Sequence, residues 1–156
     1  MEDLKKAYRT STIINSAVMA SLFIYLIVKE IIKAQYEHFE GFVSSFNLTP
    51  LRYALYVLAL VQLVVIIKIR GILLKRVSFE NIEEVISKLS RTSIITSALC
   101  EVPALYGLIL FLLSGSSKDF YIFLIWSGFL FFLYFPRYSN WEKWAQGVRR
   151  ILGETI

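Results

Sequence analysis

The sequence predicts an all-α, polytopic membrane protein with four transmembrane helices. Of its 156 residues, 56% are hydrophobic and 19% are charged, whereas soluble domains average about 45–50% apolar and about 25% charged residues. The apolar residues also form long blocks, and a block of roughly 17–25 such residues predicts a transmembrane helix. A soluble all-helical protein is the alternative, but soluble helices are rarely apolar on every face.

The four predicted spans cover residues 12–33, 51–67, 94–113 and 120–135. The second span follows Thr49-Pro50, a pair typical of a helix N-cap and the first helical position. A short polar turn precedes the fourth span, and Ser117 or Asp119 is expected to cap it. The first, second and fourth apolar blocks are near the minimum length for a membrane span, so their flanks must contribute.

The basic residues predict the orientation of the chain. Thirteen of the 17 Lys and Arg lie on one side of the spans, and the other four are Lys29, Lys33, Arg52 and Lys118. The positive-inside rule then places both termini in the cytoplasm, and we expect the cytoplasmic membrane of a bacterium or an archaeon. The net charge of +5 comes without a basic stripe interleaved with aromatic residues, so we expect membrane lipids rather than nucleic acid as partners.

Two amphipathic helices are predicted on the cytoplasmic side. The segment "SFENIEEVISKL" begins with Ser78 as a cap and places Val85, Ile86 and Leu89 on one face,. The segment "WEKWAQGVRRILG" combines tryptophans with basic residues, which is typical of a helix in the lipid headgroup region. Its predicted membrane-interface residues are Trp141, Trp144, Arg149 and Arg150. The alternative is a solvated tail that docks on the first amphipathic helix.

The single membrane domain contains a candidate internal repeat, residues 1–76 and 77–156. The segment "RTSTIINSAVMASLFIYLI" aligns, with one gap, with "RTSIITSALCEVPALYGLI". The shared polar residues favour a duplication of two hairpins over chance similarity, although the second and fourth spans match poorly. The two halves would be related by an axis along the membrane normal, as in parallel-repeat transporters. In this alignment Ala20 takes the place of Glu101.

Glu101 is the strongest functional candidate, because it is a carboxylate in the middle of the third span. Burial disfavours the charged form of a carboxylate, so we expect Glu101 to be largely protonated at neutral pH. Pro103 has no N–H and frees the carbonyl of Leu99 one turn earlier. The candidate proton- or cation-binding set is Glu101, Gln62, Ser97 and Asn15, with Gln62 as the expected hydrogen-bond partner of Glu101. Other polar residues at this depth are Ser16, Ser21 and Ser127.

The segment "ALCEVPALYGLI", residues Ala98–Ile109, resembles the proton-carrying helix of the membrane-ring (c or proteolipid) subunit of rotary ATPases. That helix typically shows Ala-Leu, then Glu, then Tyr-Gly-Leu, and Glu101 and Tyr106 fall at the matching positions. The resemblance implies that Glu101 carries a proton. Some ring subunits are four-helix duplications with one copy lacking the carboxylate, as at Ala20. The match covers about a dozen residues, and this chain departs from the family by its long central loop, its glycine-free second span and Pro103.

Two hypotheses for the function follow. In the first, Glu101 is a proton or cation site in a transport protein or an energy-converting complex, and the protein is a homo-oligomer or a subunit of a larger complex. In the second, the protein is a non-catalytic accessory or assembly subunit, and Glu101 joins helices through a hydrogen bond. No nucleophile–base pair, phosphate-binding loop or metal-ligand spacing is present, and Cys100 and His38 are the only residues of their types. We therefore expect no enzyme activity, no metal and no cofactor.

Overall fold

The computed structural model describes residues 2–36, 39–43, 47–75, 82–136, 138–139, 141–143 and 146–147. Within these ranges the chain is helical and contains no strand, so the all-α prediction is confirmed. The four long helices are α1 (Glu2–Gln35), α2 (Thr49–Lys75), α3 (Ile82–Ser114) and α4 (Ser117–Tyr134). Further helical residues follow at 138–139, 141–143 and 146–147.

Three of these helices are long and apolar enough to cross a membrane. The segments are Leu4–Gln35, Thr49–Leu73 and Glu84–Ser114, and they contain the first three predicted spans. α4 is not among them, because its 18 residues include Lys118 and Asp119 and leave a shorter apolar part. The chain thus has the helices expected of an integral membrane protein, and three of the four predicted spans are matched by helices of sufficient length and hydropathy.

α3 is the central helix of the bundle. Among the described residues it packs most extensively against α4 and α1 and less extensively against α2, whereas α1 and α2 make few direct contacts with each other. The largest buried apolar cluster draws residues from all four helices: Leu22, Ile66, Cys100, Ala104, Leu130 and Phe131. The outward faces of α1, α2 and α4 carry large exposed apolar side chains, as expected for surfaces in contact with lipid.

α1 and α3 run parallel, and both begin at the same end of the bundle. Leu4 of α1 packs there with Val85 and Leu89 of α3 and with Trp141. The predicted apolar face of the "SFENIEEVISKL" helix is therefore confirmed from Val85 to Leu89, and residues 82–89 are the first part of α3 rather than a separate helix. Its predicted cap, Ser78, lies outside the described residues. The predicted duplication stays a prediction.

The connection from α1 to α2 crosses the opposite end of α3. The N–H groups of Phe42 and Val43 donate to the carbonyls of Leu112 and Leu113 at 2.9 and 3.1 Å, which satisfies two of the carbonyls left free at a helix end. Gly115 ends α3 with a φ of +68°, a left-handed conformation that glycine adopts readily. Backbone N–H groups of the connection thus bond to the free carbonyls at this end of α3.

The starts of α2 and α4 differ from the predicted caps. The side-chain oxygen of Asn47 accepts a hydrogen bond from the N–H of Thr49 at 3.1 Å. The side chain that caps the start of α2 is therefore that of Asn47 and not that of Thr49, the cap that was predicted from the sequence. Ser116 is the N-cap of α4 and makes no side-chain cap hydrogen bond. Ser117 and Asp119 lie inside the first turn of α4, and the prediction that one of them caps the helix is wrong.

A close approach between α3 and α4 occurs at Gly107. A Cβ atom placed there would lie 2.8 Å from Cβ of Phe123 and 3.1 Å from the carbonyl oxygen of Phe120. Real Cβ atoms do not approach this closely, so only glycine allows this packing distance without a shift of α4.

Candidate functional site

Three consecutive residues of α3, Leu99 to Glu101, make polar contacts with the other three helices at one level of the bundle. We call this group, together with its partners Ser21, Tyr25, Gln62 and Ser127, the polar node. Successive residues of a helix are rotated by about 100°. Three consecutive residues therefore point in three directions, toward α2, α4 and α1.

Glu101 faces α1. Its Oε1 atom accepts a hydrogen bond from Ser21 Oγ at 2.5 Å and another from the hydroxyl of Tyr25. Ser21 Oγ also lies 2.6 Å from the carbonyl oxygen of Val18. Glu101 is half-buried, and no Lys, Arg or His forms an ion pair with it in the part of the chain that the structure describes. The site is therefore a carboxyl surrounded by hydroxyl groups.

Gln62 faces a different residue from the one that the sequence analysis expected. Its Nε2 donates to the carbonyl of Leu99 at 2.5 Å, and the predicted hydrogen bond between Gln62 and Glu101 is wrong. The carbonyl of Leu99 is available because Pro103, four residues later, has no N–H to donate to it. Pro103 thus leaves this carbonyl free, as predicted, and Gln62 donates the hydrogen bond that a backbone N–H at position 103 would otherwise supply.

Ser127 completes the polar node from α4. Its hydroxyl donates to the carbonyl of Cys100 at 2.5 Å, and this contact is buried. α3 is thus bonded to α1 through the side chain of Glu101 and to α2 and α4 through its own backbone carbonyls. Interhelical hydrogen bonds in membranes contribute about 0.6 kcal/mol on average, so the node contributes modestly to stability and strongly to helix orientation.

The other candidates of the binding set lie on the side of Glu101 nearer the helix starts. Asn15 is fully buried, and its Nδ2 donates to the carbonyl of Ser11 at 2.5 Å and to Ser93 Oγ at 3.0 Å. Ser97 is buried one turn before Glu101. Among the described residues neither forms a hydrogen bond with Gln62, so the structure separates the predicted hydrogen-bonding set into Glu101 with α1, Gln62 with Leu99, and Asn15 with Ser93.

Of the predicted membrane-interface residues, the structure describes the position of Trp141. Trp141 is only 5% exposed and packs with Leu4, Val85 and Leu89, and its ring meets Tyr8 edge to face. This burial corresponds to the alternative in which the C-terminal segment docks on the amphipathic helix. Trp144, Arg149, Arg150 and His38 lie outside the described residues.

Two ionic clusters that were not predicted from the sequence lie at the end of the bundle where α4 begins. Arg52 donates to Asp119 Oδ1 through Nε at 2.9 Å and Nη2 at 2.6 Å, and the hydroxyl of Tyr56 donates to the same oxygen at 2.8 Å. Burial alone would raise the pKa of the Asp119 carboxyl, but these hydrogen bonds stabilise its charged form and lower the pKa below its ordinary value,. The i,i+4 spacing places Arg52 and Tyr56 on one face of α2, and from this pattern a shared partner could have been predicted.

The second cluster surrounds Lys29, whose side chain is only 1% exposed. Its Nζ atom lies 2.6 Å from Glu30 Oε1 and 2.9 Å from the hydroxyl of Tyr121, and that hydroxyl donates to Glu30 at 2.8 Å. The ammonium also lies 4.5 Å from the centre of the Tyr121 ring. A buried cation is thus held by one carboxylate and one aromatic ring.

No protein-family model, no curated protein and no solved structure matches this chain. Among the described residues, no group of three or more His, Cys, Asp and Glu side chains is placed to hold a metal ion. The arrangement of Glu101, Ser21 and Tyr25 can hold and release a proton, and this is the chemistry that its residues offer.

Proposed function

We propose that Glu101 is a reversibly protonated carboxyl that carries protons in a small membrane transport protein or an energy-converting complex. The observation that carries this proposal is the placement of Glu101 inside a membrane-length helix, with two hydroxyl groups beside it and no ion pair to it among the described residues. An ionisable residue inside a membrane helix is costly, and such residues usually serve ion or proton pathways.

The hydrogen count at this site supports the protonated form. Three oxygen–oxygen contacts of hydrogen-bond length are present: Ser21 with Val18, Ser21 with Glu101, and Tyr25 with Glu101. An ionised Glu101 leaves only the two hydroxyl hydrogens for these three contacts. A protonated Glu101 supplies the third: the contact with Ser21 then runs from Glu101 to Ser21, the reverse of its direction for an ionised carboxylate, while Tyr25 donates to Glu101 and Ser21 to Val18.

The same contacts favour a proton over a metal cation. An ion such as Mg²⁺ holds its oxygen ligands at about 2.0–2.1 Å in an octahedron, which places neighbouring ligand oxygens about 2.9 Å apart, and Ca²⁺ at about 2.3–2.6 Å in a pentagonal bipyramid places them about 2.7–3.1 Å apart. The oxygens of Ser21 and Glu101 are only 2.5 Å apart. This spacing fits a hydrogen bond between the two oxygens, and a metal ion would have to separate them.

In the proposed membrane arrangement α4 is the fourth span. Its 18 residues extend about 27 Å, slightly less than the hydrocarbon core of about 30 Å. After Lys118, its exposed side chains are apolar or aromatic, including Ile125 and Phe132 at 71% exposure. Lipid would cover this face. Both termini then lie on the cytoplasmic side, as the distribution of Lys and Arg predicts. Four helices enclose little room for a pathway, so we propose a homo-oligomer or a larger complex.

The second candidate function is that of an accessory or assembly subunit. The polar node favours it in one respect, because its contacts fix the rotation of α3 against α1, α2 and α4. In this function Glu101 is a structural residue, and its proton is never exchanged as part of an activity. The resemblance of Ala98–Ile109 to the rotary ATPase ring subunit stays a prediction and favours the proton carrier.

The substitution Glu101→Gln separates the two functions. Glutamine keeps the hydrogen-bonding groups but cannot titrate, so we expect proton flux in proteoliposomes to fall to the level of protein-free vesicles while thermal stability stays close to that of the wild type. Glu84→Gln is the matched control, because Glu84 is an exposed carboxylate of the same helix that pairs with Lys88.

The accessory function predicts the opposite result for proton flux in these variants. Proton flux that is unchanged in Glu101→Gln would rule out the carrier. If Glu101→Ala then also lowers the unfolding midpoint or prevents assembly while Glu101→Gln does not, the structural role accounts for the residue.

A further inference from the structure

A row of buried and half-buried polar groups continues from Glu101 along the interface of α1 and α3 toward the helix starts. Ser97 lies one turn from Glu101 and is buried. One turn farther, Ser93 accepts a hydrogen bond from Asn15 at 3.0 Å, and the hydroxyls of Ser11 and Ser90 then meet at 2.8 Å. We call these residues of α1 and α3 the polar seam.

Asn15 shows that the polar seam has unused hydrogen-bonding capacity. The residue is 0% exposed, and its Oδ1 atom has no hydrogen-bond partner within the described chain. Buried polar atoms are almost always bonded, and those without a protein partner are usually bonded to an internal water molecule. The buried acceptor of Asn15 therefore points to water in the seam.

The spacing along α3 fits single water molecules. Ser93, Ser97 and Glu101 follow one another at intervals of four residues, which is about 6 Å along the helix axis. Two successive hydrogen bonds between oxygens span about 5.5 Å, so one water molecule can join each pair of neighbouring side chains. The seam then connects Glu101 to the bundle end where Ser11 and Ser90 meet.

The opposite direction is closed by a charge. Lys29 lies one turn beyond Tyr25 on α1, and its buried ammonium is held by Glu30 and the hydroxyl of Tyr121. The rings of Tyr121 and Phe111 lie 4.5 and 6.0 Å from the ammonium. The ammonium is the buried member of this ion pair and Glu30 is 52% exposed, so the positive end of the pair faces the bundle interior and repels a proton that approaches from this side.

We propose that Glu101 exchanges its proton with water through the polar seam, from the end where α1 and α3 begin, and that the Lys29 end is closed to protons. This inference rests on the proposed function of Glu101. In the exchange the carboxylic O–H bond breaks, the proton passes to a water oxygen and the carboxylate remains, with no electron transfer. Among the described residues, the titratable side chain that hydrogen-bonds to Glu101 is Tyr25 of α1.

The experiment follows deuterium exchange at Glu101 in the full-length protein, reconstituted in lipid vesicles. The carbonyl stretching band of the protonated carboxyl, identified by its loss in Glu101→Gln, shifts when the vesicles are transferred to D₂O, and the rate of this shift is measured. We expect Asn15→Leu to slow the shift about tenfold or more, because an apolar side chain raises the barrier for proton transfer through the seam. The matched control is Ser16→Leu, since Ser16 is the exposed neighbour of Asn15.

Two further variants keep the test decisive. Ser97→Ala removes the hydroxyl midway between Ser93 and Glu101 and serves if Asn15→Leu does not fold; we expect it to slow exchange as well. Lys29→Met removes the charge at the closed end, and we expect faster exchange because protons are no longer repelled there. Wild-type exchange in both seam variants, or exchange in Lys29→Met that is no faster than in the wild type, would overturn the inference. A wild-type protein without a protonated carboxyl band would instead overturn the proposed function of Glu101.

Discussion

The contact between Gln62 and the carbonyl of Leu99 provides a quantitative test of how Pro103 shapes the polar node. Gln62→Leu removes the donor and leaves a peptide carbonyl unsatisfied, which costs about 1–3 kcal/mol. In a Pro103→Ala background, the new N–H of residue 103 donates to Leu99 within the helix, and Gln62 becomes redundant. We therefore expect Gln62→Leu to cost about 0.5 kcal/mol or less there, near the average for interhelical hydrogen bonds in membranes.

The assay is reversible unfolding in mixed detergent micelles for the wild type, both single variants and the double variant. The cycle should give a coupling energy of about 1 kcal/mol, since interacting residues depart from additivity by 0.5–3 kcal/mol. Ser127→Ala is the matched control, because it removes a donor to Cys100, whose helical partner is Ala104 rather than Pro103. Additivity of Gln62→Leu with Pro103→Ala within about 0.3–0.5 kcal/mol would refute the explanation.

Three further predictions concern packing and pH. Gly107→Ala should destabilise the bundle by about 1–3 kcal/mol through overpacking against α4, whereas Gly128→Ala, whose Cβ meets no atom within 4 Å, should be neutral or stabilising in the same unfolding assay. Trp141→Ala should cost about 3 kcal/mol, and equal midpoints for variant and wild type would show that the C-terminal segment does not dock. Asp119 has a lowered pKa, so its stabilising effect with Arg52 is complete above its ordinary pKa and is lost as the pH falls through the lowered value. When the pH is reduced below about 4, the midpoint of unfolding should therefore decrease in the wild type. The decrease should be much smaller in Asp119→Asn.

The sequence predicted the depth of residues well and their direction poorly. Span positions follow from apolar blocks, and the free carbonyl of Leu99 follows from the chemistry of proline alone. Whether Gln62 meets Leu99 or Glu101 depends on the rotation of α2 against α3. Leu99 and Glu101 are separated by about 200° around α3. They are equally deep in the bundle, so a prediction based on depth cannot distinguish them.

Side-chain reach explains the partners that the sequence analysis missed. Tyr25 begins one turn from Ser21 on α1, and its long side chain brings the hydroxyl to Glu101. Asp119 was interpreted locally as a helix cap, but Arg52 and Tyr56 on α2 supply stronger partners for its carboxylate. Such competition between local and distant hydrogen bonds depends on tertiary packing, which a single sequence without relatives does not reveal.

The central position of α3 has a consequence for the biogenesis of the protein. α1 and α2 leave the ribosome first, yet the described parts of these two helices make few direct contacts. The interhelical hydrogen bonds of Asn15, Ser21 and Gln62 all lead to α3. In the proposed membrane arrangement the first two helices thus carry polar side chains whose partners on α3 have not yet been synthesised. Arrival of the third helix is the step that turns separate inserted segments into one assembled protein.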